Sequence, residues 1–504
     1  MHNSIGKSTL LITASKLVGL VINMVCVMLL SRIRTLEEYG TYSQLLMAVN
    51  LASTLMILGL PNGINYFLAK ANSREERSSF LNHYFTLNTI LCAGAGLILV
   101  FCSPLLVHYF KNEAIHSYIF FLLLYPFASI TMSAVESILI VYERPRTLAL
   151  YRLLNSLSLL GILVVADSLG LSFRQYMVLF LATELLFALA VYVLAGRLSG
   201  GLRFEFDGLK LQQIAAFCIP IGLASAVGTL STELDKLVIS HFFSTAEYAI
   251  YTNAAKELPL TVLASATTMV VMPKVVQMLH KNEKRQAVTL WQDAFLLNFT
   301  VMAVMVSGIV TFAPEAITIL YSEKYLPGVT VFRVYTLLLL IRCTYFGMFL
   351  NALGKTKYIF RISVLQLVVN TILNIIFCMW FGFIGPAIAT VVAIFMGAVF
   401  LIQRSCKEMD IPIRALIPWK GLLSITAVNL AFAMVFMIIK QRLHLEAWVG
   451  TLLQAALSGK ASADAVGECA ESALLGFIWV VLYAILLAAP VKKKWKEINQ
   501  QGES

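Results

Sequence analysis

The sequence predicts an all-α protein, a polytopic transmembrane bundle of about fourteen helices. Three observations predict it. Of the 504 residues, 59% are hydrophobic and 13% charged. A soluble domain carries about 25% charged residues, so this chain cannot clothe a water-facing surface. Apolar stretches of about 20 residues, the length that crosses a hydrocarbon core, recur along the chain between short polar loops. The basic residues gather at the ends of those stretches, as they do where charge sets membrane topology.

The expected apolar segments are roughly 9–30, 42–66, 82–104, 117–141, 151–169, 174–196, 214–239, 251–273, 288–312, 329–352, 359–380, 385–403, 419–439 and 472–490. The first follows Lys7 and is too long for the apolar region of a signal peptide; no small-residue cleavage pattern follows it, so it is read as a retained span. Pro61, Pro220, Pro259 and Pro273 fall in or near spans. Each removes a backbone donor and can kink its helix; bending and packing both account for them. The longest loop, about 441–471, sets Leu445, Trp448, Val449, Leu452, Leu453 and Leu457 at helical spacing and is read as a short amphipathic helix at the outer interface.

An even number of spans puts both termini on one side. With the termini and the even-to-odd loops in the cytoplasm, and the first and last three residues of each segment counted with the adjoining loop, that side carries 25 of the 38 Lys and Arg, the opposite loops carry 8, and 5 lie within spans. The expectation is a multi-pass protein of the cytoplasmic membrane with both termini cytoplasmic. Lys492, Lys493 and Lys494 after the last segment fit that side and could also touch anionic membrane lipids. The net charge of +11 is thereby explained without nucleic acid. The eight cysteines show no C-x-x-C spacing and no accompanying histidine cluster, so they read as packing residues rather than metal ligands or disulfides.

The chain repeats itself. Glu38-Tyr39-Gly40-Thr41-Tyr42 after the first segment matches Glu247-Tyr248-Ala249-Ile250-Tyr251 after the seventh, 209 residues on. The same offset carries Ser31 to Ser240, Thr147 to Thr356 and Arg152 to Arg361. Several matches at one offset, all at equivalent helix ends, argue for duplication. Six segments separate the copies, so the copies share one orientation and imply a pseudo-two-fold axis along the membrane normal. The expected organisation is an N-terminal lobe (1–200, helices 1–6), a C-terminal lobe (201–404, helices 7–12), and a region of two further helices with the outer loop and a tail (405–504).

Charge in the middle of a membrane helix costs about 2.5–3.5 kcal/mol on the insertion scale and persists where it faces a cavity or a partner. The first segment carries Lys16, with Thr9, Thr13 and Asn23 on a similar face. The seventh carries Glu233, Asp235 and Lys236; Glu233 and Lys236, three apart, can pair. The eighth sets Asn253, Glu257, Thr261 and Ser265 at spacing four, one polar stripe, with Lys256 beside Glu257. The tenth has Arg342 near its middle, and the eleventh runs from Arg361 through Gln366, Asn370 and Asn374. Lys16, Lys236, Lys256, Arg342 and Arg361 are therefore candidates for a cationic cavity. Glu233, Asp235 and Glu257 are candidates for ion coupling or charge pairing, and Asn23, Asn253, Asn370 and Asn374 for polar lining. Blander readings stand beside these. Arg152, Arg361 and Lys274 sit at helix ends where they can snorkel. Asn370 and Asn374 can glue helices together. Glu136 and Glu184 can be partners of a nearby cation. Cations in a cavity attract anions, and Lys and Arg suit a pyrophosphate.

No Walker A loop, G-x-S-x-G, H-E-x-x-H or dinucleotide fingerprint occurs, so neither an enzyme nor ATP-driven transport is expected, and no cofactor or metal.

The stretch Ser31-Arg32-Ile33-Arg34-Thr35-Leu36-Glu37-Glu38-Tyr39-Gly40-Thr41-Tyr42 resembles the segment after the first helix of Wzx-type polysaccharide and lipid-linked oligosaccharide flippases. These belong to the MATE/oligosaccharidyl-lipid/polysaccharide (MOP) superfamily. Ser15-Lys16-Leu17-Val18-Gly19 is similar to that group's basic-x-x-Gly motif in helix 1. Leu234-Asp235-Lys236, followed by Glu247 to Tyr251, is similar to its helix 7 pattern. The chain departs from the family at Arg34-Thr35-Leu36, where Leu-Gly-Pro is common, and at Asn23, where lipid II flippases tend to have a second basic residue. The resemblance implies two six-helix lobes around a cationic cavity that opens alternately to each side and translocates a polyprenyl-diphosphate-linked glycan for O-antigen, capsule or exopolysaccharide synthesis. The polyprenyl tail would stay in lipid, against a groove at helices 13 and 14. It further implies drive by a proton or sodium ion, and the polysaccharide polymerase machinery as a partner. The alternatives are a lipid II or spore-envelope precursor flippase, a MATE-like multidrug exporter, and a membrane-embedded sugar polymerase or ligase. Basic residues in the spans weigh against the exporter; the short outer loop weighs against the polymerase.

Overall fold

The computed structural model describes residues 2–57, 59–71, 73–256, 258 and 260–443. Among them every regular element is a helix. The chain runs α1 (His2–Ile33), α2 (Leu36–Ile57), α3 (Leu60–Gly63), a π-helical turn (Ile64–Leu68), α4 (Arg74–Phe101), α5 (Ser103–Phe110), a 3-10 turn (Glu113–Tyr118), α6 (Ile119–Ser133), α7 (Val135–Val141), α8 (Pro145–Ser168) and α9 (Phe173–Ser199). It continues as α10 (Gly208–Phe242), α11 (Thr245–Ala254), α12 (Thr261–His280), α13 (Lys284–Thr311), α14 (Ala313–Leu320), a 3-10 turn (Glu323–Gly328), α15 (Val329–Thr336), α16 (Leu338–Ile341), α17 (Met348–Ala352), α18 (Thr356–Phe381), α19 (Gly385–Met409), α20 (Ile413–Leu416) and α21 (Trp419–Leu443). Among the described residues eleven stretches are long and apolar enough to cross a membrane, or twelve if Leu36–Ile57 and Leu60–Leu68, bent by 42°, count as one span. The Thr356–Met409 stretch holds both α18 and α19, which fold back on each other: Lys355 Nζ, before α18, lies 3.6 Å from Glu408 Oε2 at the end of α19. The chain is thus a multi-pass membrane protein. Expected segments up to residue 439 fall on helices; the fourteenth, the outer amphipathic helix and the Lys492–Lys494 run lie outside the described residues.

Two expectations are corrected. The eighth segment is not one helix: α11 ends at Ala254 and α12 begins at Thr261. Asn253 and Thr261 therefore do not share an unbroken stripe; Glu257 and Pro259 lie outside the described residues. Arg342 is not mid-helix. It follows the last residue of α16, before the non-helical stretch that leads to α17.

The duplication is written into the element boundaries. α4 and α13 both have 28 residues and are shifted by 210 (74 to 284). α5 and α14, and the 3-10 turns after them, keep that shift. Left-handed backbone recurs at matching places: Gly170 (φ 62°) between α8 and α9, Gly382 (φ 58°) between α18 and α19, and likewise Glu143 (φ 54°) and Gly354 (φ 69°) before α8 and α18.

The repeated Glu-Tyr motif has a structural cause. Glu38 N–H donates to Thr35 Oγ1 (3.2 Å) while Thr35 N–H donates to Glu38 Oε2 (3.3 Å). Ser244 and Glu247 do the same, at 3.3 and 2.9 Å. Each is a reciprocal capping box that satisfies backbone donors left orphaned at a helix start. The tyrosines that follow, Tyr39 and Tyr248, are buried. Gly40 is required by proximity, since a Cβ there would collide with the Thr245 carbonyl.

By contacts the chain divides into two compact units, Met1–Ile250 and Tyr251–Ser504. In the first, α10 packs against α2 and α3, and the core gathers Leu60, Ile64, Tyr84, Phe85, Ile138 and Leu139. In the second, α13 is central: it packs against α12 and α21, and Val271, Val275, Trp291, Phe295, Met302 and Phe349 form the core.

Candidate functional site

In the first unit the charged residues are mostly satisfied in place. Lys236 Nζ lies 3.0 Å from Glu233 Oε2, one turn earlier on α10, and both side chains are 18% exposed. Asp235 points the other way and is buried. Arg152 Nη2 on α8 meets Glu136 Oε2 on α7 at 2.5 Å. The buried Glu184 accepts a hydrogen bond from Asn155 Nδ2 at 3.0 Å. Arg34 is buried; its Nη1 donates to the Leu171 carbonyl at 3.0 Å and its guanidinium lies over the Tyr176 ring. A further buried polar set, missed in the sequence, joins α4, α6 and α9: Asn88 Nδ2 donates to Thr131 Oγ1 (3.0 Å), and Thr89 Oγ1 lies 2.7 Å from Tyr192 Oη. On α1 the Lys-x-x-Gly motif splits into two roles. Gly19 is buried against Ser156 of α8, while Lys16 and, two turns on, Asn23 are exposed.

In the second unit the cations line hollows. Lys256 and Arg342 border the same one, together with Leu258, Tyr335, Thr336, Leu338 and Leu339. Both stand where a helix is interrupted, Lys256 between α11 and α12 and Arg342 between α16 and α17. Non-helical backbone at membrane depth survives only inside protein or beside a water-filled cavity, and broken helices are where transporters build binding sites. Tyr335 and Thr336, absent from the sequence reading, also border this hollow, and the Thr336 hydroxyl donates to the Phe332 carbonyl at 2.7 Å; nothing in their spacing distinguishes them from other α15 residues.

The other second-unit candidates lie elsewhere. Asn253 is buried on α11. Asn370 and Asn374 are buried on α18, and Asn374 Nδ2 donates both to the Asn370 carbonyl and to its Oδ1 at 2.8 Å. Arg361 borders a separate hollow between α18 and α19, with Arg404 and Lys407. A third, almost wholly apolar groove of about 360 Å3 runs past Phe295, Phe299, Phe346, Phe395, Ile402 and Trp419. Glu257 lies outside the described residues.

Comparison with known proteins decides the family. The family model described as polysaccharide biosynthesis protein matches residues 29–330, more than half of the chain. The chain belongs to the polysaccharide biosynthesis protein family. This family member is 24% identical over 180 residues to a probable low-salt glycan biosynthesis flippase of Haloferax volcanii, covering 35% of this chain and 38% of the relative's own length. It is 24% identical over 403 residues to an uncharacterized membrane protein of Methanocaldococcus jannaschii, covering 74% of this chain and 92% of the relative. Its fold resembles that of the lipid II flippase MurJ in an inward closed conformation (TM-score 0.71, 15% identity, 96% of this chain and 100% of the other). It also resembles an inward-facing multidrug resistance MATE family transporter of the MOP superfamily (TM-score 0.60, 18% identity, 78% and 95%). The chain thus has the MOP-superfamily fold, and the family match from residue 29 covers Ser31–Tyr42, so the resemblance read there holds at the level of family and fold.

Proposed function

We propose that the protein is a flippase that carries a lipid-linked glycan precursor across the membrane. The observation that carries this reading is the pairing of Lys256 and Arg342 around one hollow at two helix interruptions. Two cations suit the oxygens of a diphosphate; the hollow is about 10 Å3 in this structure, so it would have to widen to admit one. Membership in a polysaccharide biosynthesis family and the sequence similarity to a glycan biosynthesis flippase support the same cargo class. In the finer form, the cargo is a polyprenyl-diphosphate-linked oligosaccharide moved by alternating access of two six-helix lobes. Its tail lies along the apolar groove beside Phe295, Phe395 and Trp419. Lys16 and Lys236 guide the anion, and Glu233 or Asp235 couples a proton or sodium ion. The protein works without a cofactor, as a transporter rather than an enzyme, in the cytoplasmic membrane with both termini inside, and feeds the polymerase machinery.

The test is translocation in proteoliposomes of a fluorescent polyprenyl-diphosphate oligosaccharide. Lys256→Ala and Arg342→Ala, in protein that still folds, are expected to slow it by tenfold or more. Wild-type protein that moves none of several glycans but exports cationic drugs would replace this reading with that of an exporter.

A further inference from the structure

We propose that the groove between the start of α18 and the end of α19 binds one anionic phospholipid. Its phosphate would sit among Arg361, Arg404 and Lys407, and its acyl chains would run down the outer face of α18. The groove is a hollow of about 320 Å3 that joins those three cations to an apolar wall of Leu365 and Phe400, with the Gln403 amide at its edge. Arg404 is held in place. Its guanidinium stands 3.7 Å above the Tyr358 ring and pairs with Glu408, which also takes Lys355 at 3.6 Å. Glu408 is thus shared by two cations. Among the described residues Arg361 and Lys407 have no carboxylate at ion-pair distance, so the groove keeps a net positive charge.

A second observation gives the ligand its tail. Arg361, Leu365, Val368, Ile372, Ile375 and Met379 are all exposed and follow one another at spacings of four and three. They form one face of α18, apolar below its first residue, and in a membrane protein such a face meets lipid. The cationic groove therefore opens at the head of a lipid-facing stripe, at the helix end where headgroups lie. A water-soluble phosphate would use only the upper half of this site.

The repeat shows what is particular here. Arg152, the counterpart of Arg361, is occupied by Glu136 at 2.5 Å. The residue at the equivalent offset from Glu136 is Tyr345, so the second copy has kept the cation without that acid. The proposal does not depend on the flippase reading, and its test measures no transport.

Full-length protein in neutral detergent is titrated with phosphatidylglycerol or phosphatidylcholine, and bound lipids are counted by native mass spectrometry. Wild type is expected to hold one phosphatidylglycerol about tenfold more tightly than phosphatidylcholine, and Arg361→Gln/Lys407→Gln to lose about that factor. Arg414→Gln, an exposed cation outside the groove, leaves it unchanged. Millimolar inorganic phosphate or glycerol phosphate leaves the lipid bound. Equal retention of the two lipids, or unchanged phosphatidylglycerol binding in the double variant, overturns the proposal. Displacement by inorganic phosphate overturns the lipid assignment and makes the groove a small-anion site. Both substituted side chains are exposed; should the double variant nevertheless misfold, Arg361→Gln alone carries the same reading.

Discussion

The two copies of the repeat share their caps and turns yet differ in where helices break and where charges sit. In the first, Arg34, Arg152 and Glu184 have partners that join neighbouring elements. In the second, Lys236 pairs with Glu233 and Glu408 is shared by Arg404 and Lys355, while Lys256 and Arg342 border one hollow and Arg361 another. The capping boxes, the lengths of α4 and α13 and of α5 and α14, and the left-handed turns are shared. A duplicated scaffold needs its caps and turns twice, because each copy has the same orphan backbone groups to satisfy. It needs its ion pairs only where a buried charge would otherwise stand alone. Divergence of the charges is thus the part of the duplication free to make function.

That contrast can be broken by experiment. The largest effect is expected at the hollow. Arg342→Ala should slow translocation by tenfold or more while leaving the melting temperature in detergent near that of wild type. If stability and transport fall together, Arg342 is a structural residue like those of the first copy. Next, Gly385→Ala should cost about 3 kcal/mol, because a Cβ there runs into the Phe377 carbonyl in the α18–α19 hairpin; thermal unfolding followed by tryptophan fluorescence reads it. Arg152→Gln should cost about 1–2 kcal/mol by the same measurement. That is less than a fully buried pair is worth, since the Glu136 side chain is 43% exposed. Arg361→Gln should cost less than about 0.5 kcal/mol. Equal losses at these two equivalent arginines would erase the difference between the copies. The smallest effect is a symmetric one: Glu38→Ala and Glu247→Ala should each cost about 0.5–1 kcal/mol, and clearly unequal losses would show that the two caps do not bear the same load.

Much of the fold was legible in the sequence because its cause is compositional. A span needs apolar length, and apolar length can be read directly. The 209-residue repeat was legible too, and with hindsight its Glu-Tyr core could have been recognised as a cap, since Thr35 and Ser244 stand three residues before Glu38 and Glu247. The break after Arg342 was not legible. The stretch after Arg342 contains no proline, and its one glycine, Gly347, comes at the end; tertiary contacts decide that interruption. The polar stripe expected through Asn253 and Thr261 failed because it assumed an unbroken helix, although Pro259 in the sequence between them marks the break between α11 and α12. The asparagines of α18 show another limit. Spacing places Asn370 and Asn374 on one face, but inside a membrane protein a polar face can meet a cavity or a neighbouring helix, and the periodicity is identical. The relation of Lys16 and Asn23 to the hollow at Lys256 and Arg342 is a matter of function, which transport measurements on Lys16→Ala address.

The turn between α18 and α19 also bears on how the chain enters the bilayer. From Trp380 to Ile384 it contains no charged residue, so nothing ionic must be carried across when the hairpin inserts. The cations stand at the open end, Lys355 before α18, Lys357 in its first turn, and Arg404 and Lys407 closing α19. The two helices can therefore slip in together as one apolar wedge, with its basic end left behind as a stop. A single lysine added at Phe383 would place a charge at the leading tip, and the orientation of the hairpin would then become a contest between its two ends.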